Sequence, residues 1–337
     1  MVSSRSPRPR LGDVAAHAGV SPATASLVLR ERPGPSPETR RRVLAVAAEL
    51  CYRPDRSASL LARRRTHLLG VTMDVANPFH TELLEDIHTA ASHQGFDVVI
   101  SPLNRVRTER QTVENLLDQR CEALLLLGPT LLRSELADLA RHSPVVVVGR
   151  RVDAPGISVV RAADDRGVAQ AVRHLVDLGH RRIAFVDGPS GPIATLRRQG
   201  FRREVRLLTG LSHPTVVAGG DTEQAGAGVR LLIAGGLPTA VVTFNDRCAL
   251  GVMDQLRSRG VTVPDDVSII GFDDSPVARL GVIGLTTVSQ CPREMAAAAV
   301  DAAVTRLDAD PDAAPRDVVL EPRLVVRRTT GPPPRGG

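Results

Sequence analysis

From residue 67 onward the chain alternates short apolar runs with longer amphipathic segments, and no other feature narrows its possible folds so far. The runs are Leu68–Met73, Asp97–Ser101, Ala123–Leu127, Val145–Gly149, Ile183–Val186, Val216–Val217, Ala240–Thr243 and Ser268–Gly271. Segments of helical periodicity lie between them, at Thr81–His93, Arg107–Gln119, Gly167–Leu178 and Arg247–Arg259. Strand-length runs separated by helices predict parallel sheets covered by helices. About eight such units are too many for one modest doubly wound sheet, and they divide near residue 160 into two halves. Two such lobes meet at a crevice outside the carboxyl ends of their strands, where folds of this kind bind ligands.

The first 66 residues are of another kind. They hold 13 Arg against 5 acidic residues, a charge of +8, whereas the remaining 30 Arg and 32 acids leave −2. A concentrated positive excess suits either a small module facing a polyanion or a solvated basic tail. Pattern favours the module. Leu11, Val14, Ala15 and Ala18 share one helical face. Gly19-Val20-Ser21 interrupts the helix, Gly allowing a turn that a side chain would obstruct. Ser21 then offers a capping hydroxyl and Pro22 suits the first helical position. A second helix follows over Pro22–Leu29, burying Ala25, Val28 and Leu29. The start signal repeats at Ser36, Pro37 and Glu38, and a third helix runs to about Cys51 with Val43, Ala47 and Leu50 on one face. Two short helices around a Gly turn, then a longer one, make a helix-turn-helix.

These residues resemble the N-terminal module of the LacI/GalR family of bacterial repressors. The resemblance rests on Leu11–Ser21 (LGDVAAHAGVS), Thr24-Ala-Ser26, Thr39-Arg40 and Leu50–Pro54 (LCYRP). In that family the second helix enters the major groove. The resemblance implies that Pro22, Ala23 and Leu27 face base edges and that Thr24, Ser26, Ser36 and Thr39 meet phosphates. Leu11, Ser21, Arg30 and Tyr52 complete the implied DNA surface of the module. The family usually has Arg where Leu27 stands and often a polar residue near Ala23, so bidentate readout is missing from those positions. Apolar contact to thymine methyls, Arg30 and DNA shape then carry more of the reading. Pro22 and Leu27 also fit a plainer role as helix start and packing. Asp55–Arg65 resembles the family's hinge, which folds when two copies meet on DNA. Leu61 matches its minor-groove wedge, and Ala58 would let paired hinges approach; dimer packing is the alternative for Leu61.

The body carries the same resemblance at Asp74–Phe79 (DVANPF), Leu178–Phe185, Arg197–Phe201, Phe244–Asp246, Pro264–Asp274 and Leu285–Gln290. It implies an α/β fold class: an all-α helix-turn-helix module followed by a two-lobed, periplasmic-binding-protein-like (type I) effector domain with parallel sheets. Matched by position, Arg197, Asn245, Asp273 and Gln290 contact the effector, and Phe79, from the first loop, offers a stacking face. Such groups supply the fork-like donors and acceptors that a carbohydrate or nucleoside needs. The family tends to place a carboxylate at the Ala163 position; Asp164 or Asp165 substitutes here. The expected division is 1–54 DNA-binding, 55–66 hinge, 67–330 effector binding and dimerisation, and 331–337 a disordered tail.

Enzymatic function finds little support. Cys51, Cys121, Cys248 and Cys291 stand singly, no P-loop, H-E-x-x-H or G-x-S-x-G motif occurs, and neither metal nor cofactor is expected. His80, His88 and His93 fall on one predicted helix as surface or lobe-packing residues. No apolar run approaches a membrane span and the N-terminus lacks a signal-like apolar region, so a cytoplasmic location is expected. Residues 331–337 have no heptad pattern, which leaves a homodimer on a palindromic site of double-stranded DNA. The rival reading is a cytoplasmic binding protein or enzyme with a non-specific basic tail. Steep salt dependence of duplex binding by residues 1–66 separates the two.

Overall fold

Short side chains let three short helices meet closely at the N-terminus. The computed structural model describes residues 9–29, 31–52, 65–104, 106–210, 214–220, 225–308 and 314–334. There, α1 (Leu11–His17), α2 (Pro22–Leu29) and α3 (Pro37–Glu49) surround Val14, Ala15, Ala18, Ala25, Val28, Val43 and Ala47. Both expected caps form: Thr24 N–H donates to Ser21 Oγ at 3.1 Å and Thr39 N–H to Ser36 Oγ at 3.2 Å. Gly19, at φ 62°, makes the turn between α1 and α2. Arg40 adds a tie, its guanidinium donating to the Arg32 carbonyl at 2.8 Å and the Val28 carbonyl at 3.4 Å. The chain separates into two compact units, residues 1–66 and 67–337. Most of the expected hinge, with Ala58 and Leu61, lies outside the described residues, as does Arg30.

The second unit contains two six-stranded sheets among the described residues. The first is assembled from β1 (Leu68–Asp74), β2 (Asp97–Leu103), β3 (Ala123–Leu127), β4 (Val145–Val148), β5 (Ile157–Ala162) and β11 (Asp317–Leu320), in the order β11-β5-β4-β3-β1-β2. All its pairings are parallel, with Val71 beside Ile100 and Leu125. Helices α4 (Pro78–His93), α5 (Glu109–Asp118), α6 (Arg133–Ala140) and α11 (Pro292–Asp308) belong to this lobe. Leu69, Val71 and Met73 face α4 and α11, while Leu124, Leu126 and Val147 face the other layer. Coverage on both faces is why β3 reads as an unbroken apolar run.

The second lobe is built from β6 (Ile183–Asp187), β7 (Thr215–Ala218), β8 (Ala240–Thr243), β9 (Ser268–Asp273), β10 (Thr286–Ser289) and β12 (Arg323–Val325), ordered β12-β10-β9-β8-β6-β7. Only β12 runs antiparallel. Its helices are α7 (Asp164–Asp177), α8 (Pro192–Thr209), α9 (Ala225–Ala234) and α10 (Asp246–Arg257).

The structure corrects the sequence reading in several places. Strands β5, β10, β11 and β12 were not expected. β10 (TTVS) hides its polarity by internal hydrogen bonding, and β11 and β12 are short, incompletely buried edge strands. The division near residue 160 marks only the first crossover. The chain returns to the first lobe with α11 and β11, then crosses back at β12. Helix α4 starts at Pro78, capped by Asn77, so Phe79 sits in its first turn and not in a loop. Helix α7 starts at Asp164, three residues early. The tail is not disordered at its start: Gly331 N–H donates to Ser268 Oγ at 3.0 Å and its carbonyl accepts from His180 Nε2 at 2.9 Å. Residues 335–337 lie outside the described residues.

In the second lobe, α7 and α8 approach each other closely at Gly200, where an added Cβ would lie 2.9 Å from Asp165 Cα and 3.0 Å from the Asp165 carbonyl oxygen. Backbone on both sides cannot give way as a flexible side chain would. Gly200→Ala is expected to destabilise the second unit by about 1–3 kcal/mol through forced separation of the two helices. Urea unfolding of the variant against the parent measures it.

Candidate functional site

Side chains from both lobes converge on a cavity at the carboxyl ends of the strands. Phe79, His80 and Leu83 reach it from α4, Gly128 and Gly149 follow β3 and β4, and Arg197, Phe244, Asn245, Asp273 and Gln290 come from the second lobe. All five residues assigned to the ligand from the sequence therefore line one cavity. A larger, open groove of about 490 Å³ runs nearby along Glu85, Arg293, Glu294 and Arg323. Its rim charges are exposed, and it lacks the convergent buried polar groups of the smaller cavity, which makes the latter the candidate site.

Arg197 is its centre. The residue projects from α8 one turn before Gly200, and the close helix contact brings it to α7. Its Nε–H donates to Asp164 Oδ1 at 2.7 Å and its Nη1 to the Phe244 carbonyl at 2.6 Å. The guanidinium lies over the Phe272 ring, 3.6 Å from the centroid, with Phe244 at 4.9 Å. Asp273 Oδ1 stands 3.9 Å from Nη1 and accepts from Gln290 Nε2 at 2.7 Å. Arg197, Asp164, Asp273 and Gln290 are all buried. Asn245 caps α10, its Oδ1 accepting from Cys248 N–H at 2.9 Å, which leaves the amide NH₂ uncommitted to the helix.

Two neighbouring carboxylates face one guanidinium, so their protonation is contested. Burial pushes the Asp273 carboxyl up to about 8, against the pull of Arg197 and with added repulsion from Asp246. Asp164 is raised for the same reason, with Arg197 opposing. Asp246 is pushed up to about 6 by burial, opposed by hydrogen bonds from Thr287 and Ser275. The backbone is also constrained: Asp273 and Asp274 have φ of 115° and 55°, left-handed values unusual away from glycine. Arg327 holds Asp274 from behind at 2.7 Å.

The first lobe contributes mostly apolar surface and one polar group that sequence reading left aside. His80 Nδ1 accepts from the Asp74 N–H at 3.1 Å, which places the remaining ring proton on Nε2. Burial lowers its pKa to about 4 against the attraction of Asp74, so the ring is neutral at pH 7. Its position one residue after Phe79 was the available signal. Of the two adjacent carboxyls, Asp164 turns inward to Arg197 and Asp165 points outward to Arg203. Phe79 is buried in the lobe core while lining the cavity.

In the N-terminal unit, Ser21, Pro22, Ala23 and Ser36 are exposed and Thr24, Ser26 and Thr39 half-buried. Leu27 is 40% exposed, so it is not consumed by packing. The hydroxyls of Ser21 and Thr24 lie 2.9 Å apart and those of Ser36 and Thr39 3.0 Å, each pair at a helix N-terminus where anions bind readily. Leu11 and Tyr52 pack half-buried against the module core.

The family described as "Bacterial regulatory proteins, lacI family" matches residues 10–55, and "Periplasmic binding protein-like domain" matches residues 172–330. The chain is 33% identical over 329 residues to the HTH-type transcriptional regulator GalR of Escherichia coli K12, covering 95% of each chain. Among solved structures it is similar to the lac repressor dimer bound to operator and the anti-inducer ONPF, with 28% identity, a TM-score of 0.81, and coverage of 96% and 100%. It is also similar to a complex of the transcriptional regulator CelR with cellobiose, with 30% identity, a TM-score of 0.70, and the same coverage.

The raised Asp273 carboxyl has a signed consequence. Its folded-state pKa exceeds the unfolded value, so the folded protein holds a proton that the unfolded chain releases, and stability falls as pH rises from about 4 towards about 8. Asp273→Asn removes that dependence while keeping shape. The variant's stability relative to the parent is expected to increase across this range and level off above it. Denaturant melts at pH 5, 7 and 9 check the trend.

Proposed function

The chain belongs to the lacI family of bacterial regulatory proteins, and from that premise we propose that it is a homodimeric, cytoplasmic transcriptional repressor whose hold on a palindromic operator is set by a small polar effector. The effector is a carbohydrate or nucleoside bound between the lobes of the second unit. Residues 1–54 bind DNA, 55–66 form the hinge, and the body binds effector and dimerises. The observation that carries this reading is the convergence of Phe79, Arg197, Asn245, Asp273 and Gln290 on one cavity, in a chain whose N-terminal unit presents the exposed face of a helix-turn-helix second helix. Likeness to an operator-bound repressor dimer and to a cellobiose complex supports the two partners.

The buried donors and acceptors that line the crevice, among them the Asn245 amide NH₂ left over from the helix cap, support reading it as a binding site for a polar effector. The cavity holds only about 60 Å³, against about 300–1,000 Å³ for ordinary ligand sites. The effector therefore binds a more open arrangement of the lobes. It shifts the balance between DNA-competent and incompetent states by its differential affinity for them, and the coupling is reciprocal. Among the described residues no helix is long and apolar enough to cross a membrane.

Two measurements test the proposal. Affinity for a selected palindromic duplex is expected to fall about a thousandfold between 50 and 200 mM salt, as for six or so phosphate contacts; a flat response would refute DNA recognition by the basic unit. Asp273→Ala is expected to bind the same duplex normally but to need about three- to tenfold more effector for the same response, the cost of one hydrogen bond to a carboxyl that burial keeps protonated. Sugars and nucleosides screened by thermal shift supply the effector. Arg197→Ala is the poorer variant, because it strands the buried Asp164 carboxylate and destabilises the fold.

A further inference from the structure

The second helix of a helix-turn-helix enters the major groove with its outward face towards the base edges, and here that face is hydrocarbon. In α2 the inward side is Ala25, Val28 and Leu29. The outward side is centred on Ala23 and Leu27, one helical turn apart and both exposed. The helix begins with Pro22, which has no N–H to offer. Thr24, at the edge of this face, has its hydroxyl 2.9 Å from Ser21 Oγ within the helix cap. The centre of the described part of the helix therefore holds nothing that can make a bidentate contact to guanine or adenine.

What a hydrocarbon face can recognise in the major groove is limited by the chemistry of the bases. Only thymine presents an apolar group there, its C5-methyl; the other edges present donors and acceptors. An exposed Leu opposite those edges would desolvate them without replacing their hydrogen bonds, which costs affinity. Opposite a thymine methyl it buries apolar surface on both partners. Resting on the DNA-binding reading above, we propose that Leu27, with Ala23 beside it, is a specificity-determining residue that selects thymine through its C5-methyl, so that the operator half-site carries thymine where α2 is centred.

Deoxyuridine makes the test clean, because it keeps every hydrogen-bonding group and the pairing of thymine while lacking the methyl. A duplex is first selected from a random pool with the full-length protein. Each thymine is then replaced in turn by deoxyuridine, and affinity is measured by fluorescence anisotropy. Burying one methyl is worth about a fourfold change in Kd. The expected result is a loss of about that size at one or two thymines in each half-site and none elsewhere. Leu27→Ala should bind the thymine duplex more weakly yet no longer distinguish it from the deoxyuridine duplex, while Leu27→Met should retain the distinction. Leu27 is partly exposed, so both variants are expected to fold, and thermal melts verify it. If every deoxyuridine duplex binds as the parent does while selection still yields one sequence, the thymine assignment is overturned and the regulator reading stands. If selection yields no sequence at all, both fall.

Discussion

One guanidinium holds the second lobe's polar centre together. Arg197 meets the Asp164 carboxyl, a backbone carbonyl and the face of an aromatic ring, with the Asp273 carboxyl more distant at 3.9 Å. A buried charge survives only when paired and hydrogen-bonded, so every element supplying a partner has its position tied to this one residue. Helix α7 must begin at Asp164, α8 must approach closely enough to need Gly200, and β9 must end with its carboxyl turned inward at a backbone angle that ordinary residues avoid. The second-lobe side of the crevice is thus tied together by buried polar contacts.

The connections between the lobes follow from the order of the strands. Three chain passages join the lobes, after β5, after β10 and between β11 and β12. Each lobe therefore contains segments distant in sequence, and neither is a contiguous piece of chain. A cross-lobe ion pair between Glu82 of α4 and Arg279 adds a further link, at 2.7 Å, and Arg279 also donates to the Asp274 carbonyl at 2.6 Å. Through Arg279 the Asp273–Asp274 corner is in contact with the first lobe by a route outside the cavity.

How legible the sequence was depended on how local the deciding physics was. Ser36-Pro37 and Ser21-Pro22 announced helix starts because a capping hydroxyl and a donor-free proline act within one turn, and both helices begin there. The apolar runs β3 and β4 were plain because both their faces are buried. The choice between Asp164 and Asp165 was not legible, since which of two adjacent carboxylates turns inward depends on the phase at which α7 leaves β5. His80 looked like a helix-surface residue because nothing in sequence shows that the Asp74 N–H folds back onto it. Strands β11 and β12 escaped notice for a related reason: short, half-exposed edges draw their identity from non-local partners, β5 for β11 and β10 for β12. Arg197 was identified as a ligand contact, but its role as an internal counter-ion emerged only from the geometry.

The strap formed by Thr329 and Gly331 has a consequence for the birth of the molecule. Thr329 Oγ1 donates to the Ile269 carbonyl at 2.7 Å and accepts from Thr286 N–H at 2.9 Å, closing the second sheet from outside. The covering helix α11 and edge strand β11 of the first sheet are likewise translated after almost everything they stabilise. On the ribosome the helix-turn-helix, whose contacts span fewer than fifty residues, can fold as it emerges, whereas both lobes wait for the same late stretch of chain. The nascent protein thus passes through an interval in which its basic head is formed and its sensing body is not, and the length of that interval is set by translation of the segment after β9.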